Sequence, residues 1–470
     1  MVKIAVIGGG MCGLLGGMLF AADGHEVTVL ERDPSLPVDP AKAYEHWERS
    51  SVRQFQMGHY FLPPFRAALE AHLPQVIDGL EANGAFDYNP ILRAPESLTG
   101  GVRPGDERFG VLTGSRPMVE AVVAACAAEV DGLTIRRGVA VTELITDPDR
   151  PEGAPVHVTG VVTADGERVE ADLVVDASGR NSGLPRLLAA AGAEAPVDEA
   201  DDSGFVYYGR AFRSPDGSVP ASMGGGLQEY GSISTLTLAA DNGTWAIAFV
   251  ASGRDKAMRR VRDEERFEEL WRSYPLVAHW LDGEPMTDIK VMGNLEDRIR
   301  HFVVDGAPVA TGLAAVGDSW ACTNPSVGRG ASMGMLHVLA LRDVLRETPL
   351  DDPVAFALAF DERTAETVEP LYRETVRGDR HRLAQIEAEL AGTAYEPTDP
   401  MLRTIDALPA AGMADPELFR IWLDGFMMNT SIDELLADPD VRARVEELGA
   451  TADDAVLGPD RPQLEAILAA

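Results

Sequence analysis

The sequence predicts an α/β protein: a parallel-sheet domain, an antiparallel sheet inserted into it, and a helical region at the C-terminal end. Three observations predict it. The first thirty-one residues run strand, glycine turn, helix, strand, acid; residues 204–251 alternate apolar and polar positions; and beyond Asp351 the pattern is helical. A chain of 470 residues can bury a large core and hold two or three domains.

Val2 to Ile7 is a short, mostly apolar strand that runs into Gly8-Gly9-Gly10-Met11-Cys12-Gly13, a G-x-G-x-x-G spacing. Leu14 to Ala22 reads as a helix rich in small residues, and the strand Glu26 to Leu30 ends on Glu31. A glycine-rich turn alone is a weak signal. With strand, helix and acid in place it is the Rossmann-type fingerprint of a dinucleotide site. Gly8 permits the tight turn, Gly10 lets backbone approach a pyrophosphate, and Gly13 and Gly17 let the helix lie close to the sheet. The helix N-terminus offers unpaired N–H groups to phosphate. Glu31 is expected on the ribose hydroxyls. The turn does not say whether the ligand is NAD or FAD.

The net charge of -34 argues against nucleic acid and against an anionic membrane as partners, since both would be repelled. Lysines are only four, at 3, 42, 256 and 290, so the basic residues are nearly all Arg. Cys12, Cys126 and Cys322 are odd in number and widely spaced, which fits neither a disulfide framework nor a zinc site. No metal is expected, and a reducing cytoplasm is the expected setting. The glycines and the immediate strand–helix–strand pattern make the apolar start a buried strand rather than a signal peptide. No apolar run reaches membrane-spanning length.

Along the chain, a Pro-rich loop precedes a helix expected from Ala41 to Arg53, a region holding Trp47, Arg49, Val52, Gln54 and His59. Phe61 to Ala85 is helical in pattern and Tyr88 to Gly110 loop-rich. Arg116 opens an amphipathic helix through Ala128. Strands are expected at 133–135, 140–145, 156–163 and 169–175, with Asp165-Gly166 as a hairpin turn. Gly204 to Arg213, Ser232 to Leu238 and Thr244 to Ala251 form the antiparallel sheet, one face of which is expected to roof a cavity. Asp255 to Arg272 reads as a solvated charged helix. The strand Val309 to Val316 leads to Gly317-Asp318, and a helix is expected from Gly328 to Leu345. Helices are then expected over 353–391, 416–428, 431–448 and 461–469.

Three segments carry more specificity together than singly: the glycine turn with Glu31; Asp172-Leu173-Val174-Val175-Asp176-Ala177-Ser178-Gly179-Arg180; and Gly317-Asp318-Ser319-Trp320-Ala321-Cys322-Thr323-Asn324-Pro325-Ser326-Val327-Gly328-Arg329-Gly330. In this order they resemble FAD-dependent monooxygenases of the p-hydroxybenzoate hydroxylase fold, and more closely the branch with epoxidases and flavin-dependent halogenases. The resemblance covers about residues 1–345. It implies FAD contacts at Gly8, Gly10, Met11, Cys12 and Gly13, and at Glu31, Arg32 and Arg49, with Arg49 on the pyrophosphate. It also implies contacts at Arg116, Val141, Ala177 and Gly179, and at Gly317, Asp318, Pro325, Gly328, Gly330 and Ala331. It implies an FAD-binding domain from residues 1–75, 105–190 and 290–348, a substrate domain from 76–104 and 191–289, and a helical region from 349–470. Read from the residues themselves, Asp318 at a buried strand end suits sugar hydroxyls, or an N-cap. Gly328 and Gly330 would admit a ring edge at a helix N-terminus.

The activity implied is insertion of one oxygen from O₂ into a small or medium organic substrate, as hydroxylation or epoxidation, by way of a flavin C4a-hydroperoxide. Two departures bear on the electron donor. Many hydroxylases have Asp-Gly where this chain has Ser178-Gly179, and a His where it has Ala321. Direct reduction by NAD(P)H and supply of reduced flavin by a separate flavin reductase therefore both stay open, as do monomer and homodimer. A flavin-dependent reductase or dehydrogenase and a non-catalytic flavin-binding protein are the other readings. A halogenase is disfavoured because Thr244-Trp245-Ala246-Ile247-Ala248-Phe249 does not match that group's W-x-W-x-I-P signature. Tyr207, Tyr208, Met223 and Phe249 are pocket candidates for which core packing is the simpler role. His59 and His301 are the candidate titrating histidines. No catalytic base is identified.

Overall fold

The computed structural model describes every residue except 50, 51, 53, 54, 57, 451–456 and 470. Its centre is a five-stranded parallel sheet. The strands stand in the order Leu313–Ala315, Leu173–Asp176, Lys3–Ile7, Glu26–Glu31, Leu133–Arg137. Leu313–Ala315, Leu173–Asp176 and Lys3–Ile7 are short, nearly continuous apolar runs, as strands covered on both faces must be, whereas the edge strand Leu133–Arg137 is partly exposed. The helix Met11–Ala22 lies on the sheet through Gly17, where a Cβ would stand 3.0 Å from Leu133 and 3.3 Å from Val29. The helix Gly330–Glu347 crosses it where Gly16 faces Val338. The helix Arg116–Ala128 closes the same core, and Pro74–Ala82 packs on it at Gly79 against Val122.

The inserted sheet is antiparallel, in the order Leu227–Tyr230, Ile233–Ala239, Thr244–Ser252, Phe205–Arg213, Glu284–Pro285; Lys290–Met292 also pairs with Phe205–Arg213. Alternation along the strands divides its side chains between two faces. Tyr208 and Phe249 join Phe267, Trp271 and Tyr274 in an aromatic core on one face. Tyr207, Leu236 and Val250 meet Ile386 of the helix Glu369–Ala391 on the other. Each large side chain so buried contributes about 1.5–3 kcal/mol. A third sheet joins Val197–Asp202, Glu296–His301 and Ala321–Cys322, and so links the third motif to the inserted region.

Several expectations are corrected. The helix expected over 41–53 is a turn at Pro40–Lys42 and one helical turn at Ala43–His46, ended by Trp47 in extended conformation. Arg53 and Gln54 lie outside the described residues. Phe61–Ala85 is a strand end followed by two helices, Pro63–His72 and Pro74–Ala82, because Pro74 cannot continue a helix. The strand expected over 169–175 is two, Arg168–Glu170 antiparallel to Val156–Thr163 and Leu173–Asp176 in the parallel sheet. Gly312, at φ +67, divides the strand expected over 309–316. The 255–272 segment is a short turn and the helix Glu264–Arg272, whose Phe267, Leu270 and Trp271 are core rather than solvated. The C-terminal region contains the additional helix Pro400–Ala414. One face of the inserted sheet packs in part on the helix Glu369–Ala391. Among the described residues no helix is long and apolar enough to cross a membrane.

Candidate functional site

The ends of the central strands are in register: Ile7 stands beside Asp176 and Leu30, and Asp176 beside Ala315. The three motifs therefore leave the sheet side by side at its C-terminal edge, where open α/β sheets bind ligands. Gly8 has φ +105, and a Cβ there would stand 2.6 Å from the Ala177 carbonyl oxygen. A Cβ on Gly13 would stand 1.9 Å from the Gly8 oxygen. Turn, helix and second motif are thus pressed together with no room for side chains. Gly10 differs: its φ is -82 and a Cβ would meet nothing within 4 Å. Open space faces a helix N-terminus without a side-chain cap, which is an anion cradle.

Cys12 is wedged between the first and third motifs. A Cβ on Gly317 would lie 3.1 Å from its sulfur, and one on Gly334 2.5 Å. Burial pushes the thiol up to about 12, so it packs rather than reacts. The Gly179 N–H donates to Ser319 Oγ at 2.9 Å, and Arg180 donates to the carbonyls of Glu296 and Thr323 at 2.9 and 2.7 Å. Met11 and Ala177 are buried beside these contacts; Gly179, at φ +82, has open space where a Cβ would stand.

Glu31 is buried and accepts three hydrogen bonds, which leaves one of a carboxylate's roughly four acceptor positions. Its Oε2 accepts from Gly9 N–H at 2.8 Å and from Arg49 at 2.7 Å, and its Oε1 from Asp33 N–H at 2.8 Å. Arg49, expected on a pyrophosphate, is buried with its guanidinium committed to Glu31 and Glu120. A buried guanidinium needs such anions. Glu120 also accepts from Arg116 Nε at 2.7 Å, which places Arg116, half-buried, at the edge of the crevice. Arg32 is exposed, and Val141 pairs with Thr163 in the small sheet alongside.

Asp318 sits in the turn Gly317–Ser319. Burial pushes its carboxyl up, against the pull of Arg180, Arg116 and Arg298, and no described residue donates a hydrogen bond to it. The turn is held from behind by His337, a residue the sequence did not single out. Its Nδ1 accepts the Gly317 N–H at 3.3 Å, and its Nε2 lies 3.1 Å from Thr364 Oγ1. It stacks on Phe360 and meets the edge of Trp320, and burial holds it down to about 3. The imidazole is therefore neutral, with its proton on Nε2. Gly328, at φ +69, donates its N–H to the Pro325 oxygen at 3.1 Å and closes the turn before Gly330–Glu347. Gly330 is exposed at the start of its helix with open space where a Cβ would stand, and Ala331 follows half-buried.

Of the pocket and histidine candidates, Tyr208 and Phe249 are core, Met223 is exposed, His59 stacks on Phe61, and His301 pairs with Glu199 at 2.7 Å. Tyr207 reaches the third motif, donating to Asn324 Oδ1 at 2.5 Å. Asp379, from the tail helix, also reaches it and carried no sequence signal.

This architecture is the p-hydroxybenzoate hydroxylase-like fold found in FAD-dependent monooxygenases. The chain is similar to Diels-Alderase PyrE3, of the biosynthetic pathway of pyrroindomycins (TM-score 0.59, 18% identity, 90% of this chain and 80% of that one). It is similar to pqsL, a probable FAD-dependent monooxygenase from Pseudomonas aeruginosa (0.57, 16%, 82% and 99%). A third likeness is to 2-methyl-3-hydroxypyridine-5-carboxylic acid oxygenase (0.55, 15%, 83% and 92%). Protein Rv3254 of Mycobacterium tuberculosis (strain ATCC 25618 / H37Rv) is 26% identical over 399 residues, covering 80% of this chain and 79% of that protein. No family model matches.

Proposed function

We propose that the protein is an FAD-dependent monooxygenase acting on a small or medium organic substrate. The observation that carries this reading is Asp318, a carboxylate without a protein donor, held in the crevice where the three motifs meet. That crevice fits FAD. The open N-terminus at Gly10 would take the pyrophosphate, Glu31 the adenosine ribose, and Asp318 the ribityl hydroxyls. The turn from Pro325 to Gly330, at the N-terminus of Gly330–Glu347, would face the pyrimidine edge of the ring. When bound and reduced, FAD supplies the electrons that activate O₂. The chain's own residues orient the ring and keep water from it. The electron donor is NAD(P)H or flavin reduced by a partner enzyme.

The test is direct. The purified protein should take up FAD stoichiometrically, and the loaded protein should consume O₂ above free-flavin background with NADPH, NADH or a flavin reductase, in a substrate-dependent way. A protein that refuses FAD ends this reading. A second reading, a cyclisation catalyst that uses the fold without net redox change, is favoured by the PyrE3 likeness reaching 90% of the chain. It predicts product formation with oxidised FAD under anaerobic conditions, which a monooxygenase cannot give.

A further inference from the structure

Asn324, directly before Pro325, is 1% exposed, and its backbone N–H and side-chain amide are all partnered. Its backbone N–H donates to Asp297 Oδ1 at 2.6 Å, and its Oδ1 accepts from Tyr207. Its Nδ2 donates to Ser326 Oγ and to Asp379 Oδ1, both at 3.0 Å. Ser326 Oγ donates to the same Asp379 oxygen at 3.3 Å. The turn before Pro325 is therefore locked from three elements: the inserted sheet through Tyr207, the strand Glu296–His301 through Asp297, and the helix Glu369–Ala391 through Asp379. Asp379 is 6% exposed and its Oδ2 is buried without a partner.

We propose that Asp379 is the positioning residue of the ring-facing turn, acting through Asn324 and Ser326, and that its charge is felt by the flavin held there. This rests on the reading that FAD binds at that turn. Two carboxyls, Asp297 and Asp379, converge on one asparagine, and a site of that kind resists holding two negative charges. The other charged or titratable groups facing Asp379 are Tyr207, which stays a neutral phenol, and Arg329, whose guanidinium is taken by Glu374 and the Gly425 carbonyl. Asp297 is in turn faced by Arg180, Arg380 and Asp201. Burial, with Asp297 adding to it against the pull of Asn324, Ser326 and Arg329, pushes the Asp379 carboxyl up to about 7. Neutral pH therefore sits on its titration. Gain or loss of that proton adds or removes one charge behind the turn.

The experiment uses the full chain loaded with FAD. The visible absorbance and the midpoint potential of the bound flavin are followed across pH in the wild type, Asp379→Asn and Ser326→Ala. The wild type should show a transition near pH 7. Asp379→Asn, neutral and of the same shape, should abolish it with FAD still bound, and Ser326→Ala should keep it while moving its midpoint. Separately, the apo-protein's melting temperature is followed against pH. A folded-state carboxyl raised above its unfolded value favours folding at low pH, and that advantage is lost as pH rises through the folded value. Asp379→Asn should therefore gain on the wild type from about pH 4 to about pH 7, then run parallel to it. Wild-type protein that takes up no FAD sinks the flavin reading. FAD-loaded Asp379→Asn with an unchanged pH profile overturns the role given to Asp379.

Discussion

Gly10 and Gly13 stand one helical turn apart and answer opposite demands. At Gly13 the nearest atom is the protein's own, the Gly8 oxygen, 1.9 Å from where a Cβ would stand. Gly13→Ala must move backbone and is expected to cost about 3 kcal/mol in denaturant unfolding. At Gly10 the space belongs to no described residue and φ suits any side chain. Gly10→Ala should unfold within about 0.5 kcal/mol of the wild type yet bind FAD at least about tenfold more weakly by fluorescence titration. Equal losses at both positions would mean that no ligand approaches Gly10. Asp318 offers the converse test. Burial raises its carboxyl in the folded state, so its ionised form opposes folding as pH rises above the ordinary carboxylate value of 3.8. Asp318→Asn should raise the apo-protein's melting temperature at pH 7, with the gain vanishing below about pH 4. It should also weaken FAD by about 1.5–3 kcal/mol, the range for hydrogen bonds to a charged group. A residue that lowers the stability of the empty protein and raises ligand affinity is one that sequence can place by motif but not by energy.

Two helices, Met11–Ala22 and Gly330–Glu347, bring their N-termini to one crevice, and their crossing is set by small residues. Gly16 meets Val338, and Cys12 fills the notch left by Gly317 and Gly334. At the far end Asp23 accepts from Arg342 and Arg346. Gly334→Ala would put a Cβ 2.5 Å from the Cys12 sulfur and is expected to cost about 1–3 kcal/mol while weakening FAD. Cys12→Ala opens the notch, so the double variant should recover part of that loss, with a coupling of about 0.5–3 kcal/mol in a thermodynamic cycle. Strict additivity would show that the contact does not set the crossing. The sequence showed both helices, the glycine turn and the Gly317-Asp318 turn, because glycine spacing and apolar period are local signals. It did not show that Cys12 belongs to the crossing, nor that His337 holds Gly317, since each depends on a neighbour more than a dozen residues away. Arg49 shows the same limit. Its distance from Glu31 was legible, but its partner Glu120, seventy-one residues on, turns the guanidinium inward. The break at Ala171-Asp172 was hidden because two short strands of different sheets follow each other with only two residues between them.

At the scale of the molecule the helical tail is tied to the site by buried arginines. Helical period alone could not reveal where those arginines go. Arg420, on Pro416–Phe426, donates to Asp106 Oδ1 and Oδ2 at 2.8 and 2.7 Å and to the carbonyls of Thr99 and Gly101 at 2.7 and 2.9 Å. The same helix offers its Gly425 carbonyl to Arg329, the residue immediately before Gly330–Glu347. One clamp thus holds the tail to the loop around residues 99–106, and a second carries it to the turn from Pro325 to Gly330. Arg420→Ala leaves Asp106, 2% exposed, without its main counter-charge, which should cost about 3–5 kcal/mol. Arg420 holds the Asp106 carboxyl below its ordinary value, so the pair's contribution is present above about pH 4 and is lost as pH falls. The gap between wild type and variant should narrow over that range. The variant should also become sensitive to protease near residues 99–106, and its FAD affinity should fall because the Gly425 clamp loosens with the helix. Replacing the pair together, Asp106→Asn with Arg420→Met, removes the stranded charge and should restore much of the stability. If it restores FAD affinity as well, the tail acts on the site through packing. If affinity stays low, the fixed direction of the Arg420 bonds is what aligns the Gly425 carbonyl with Arg329.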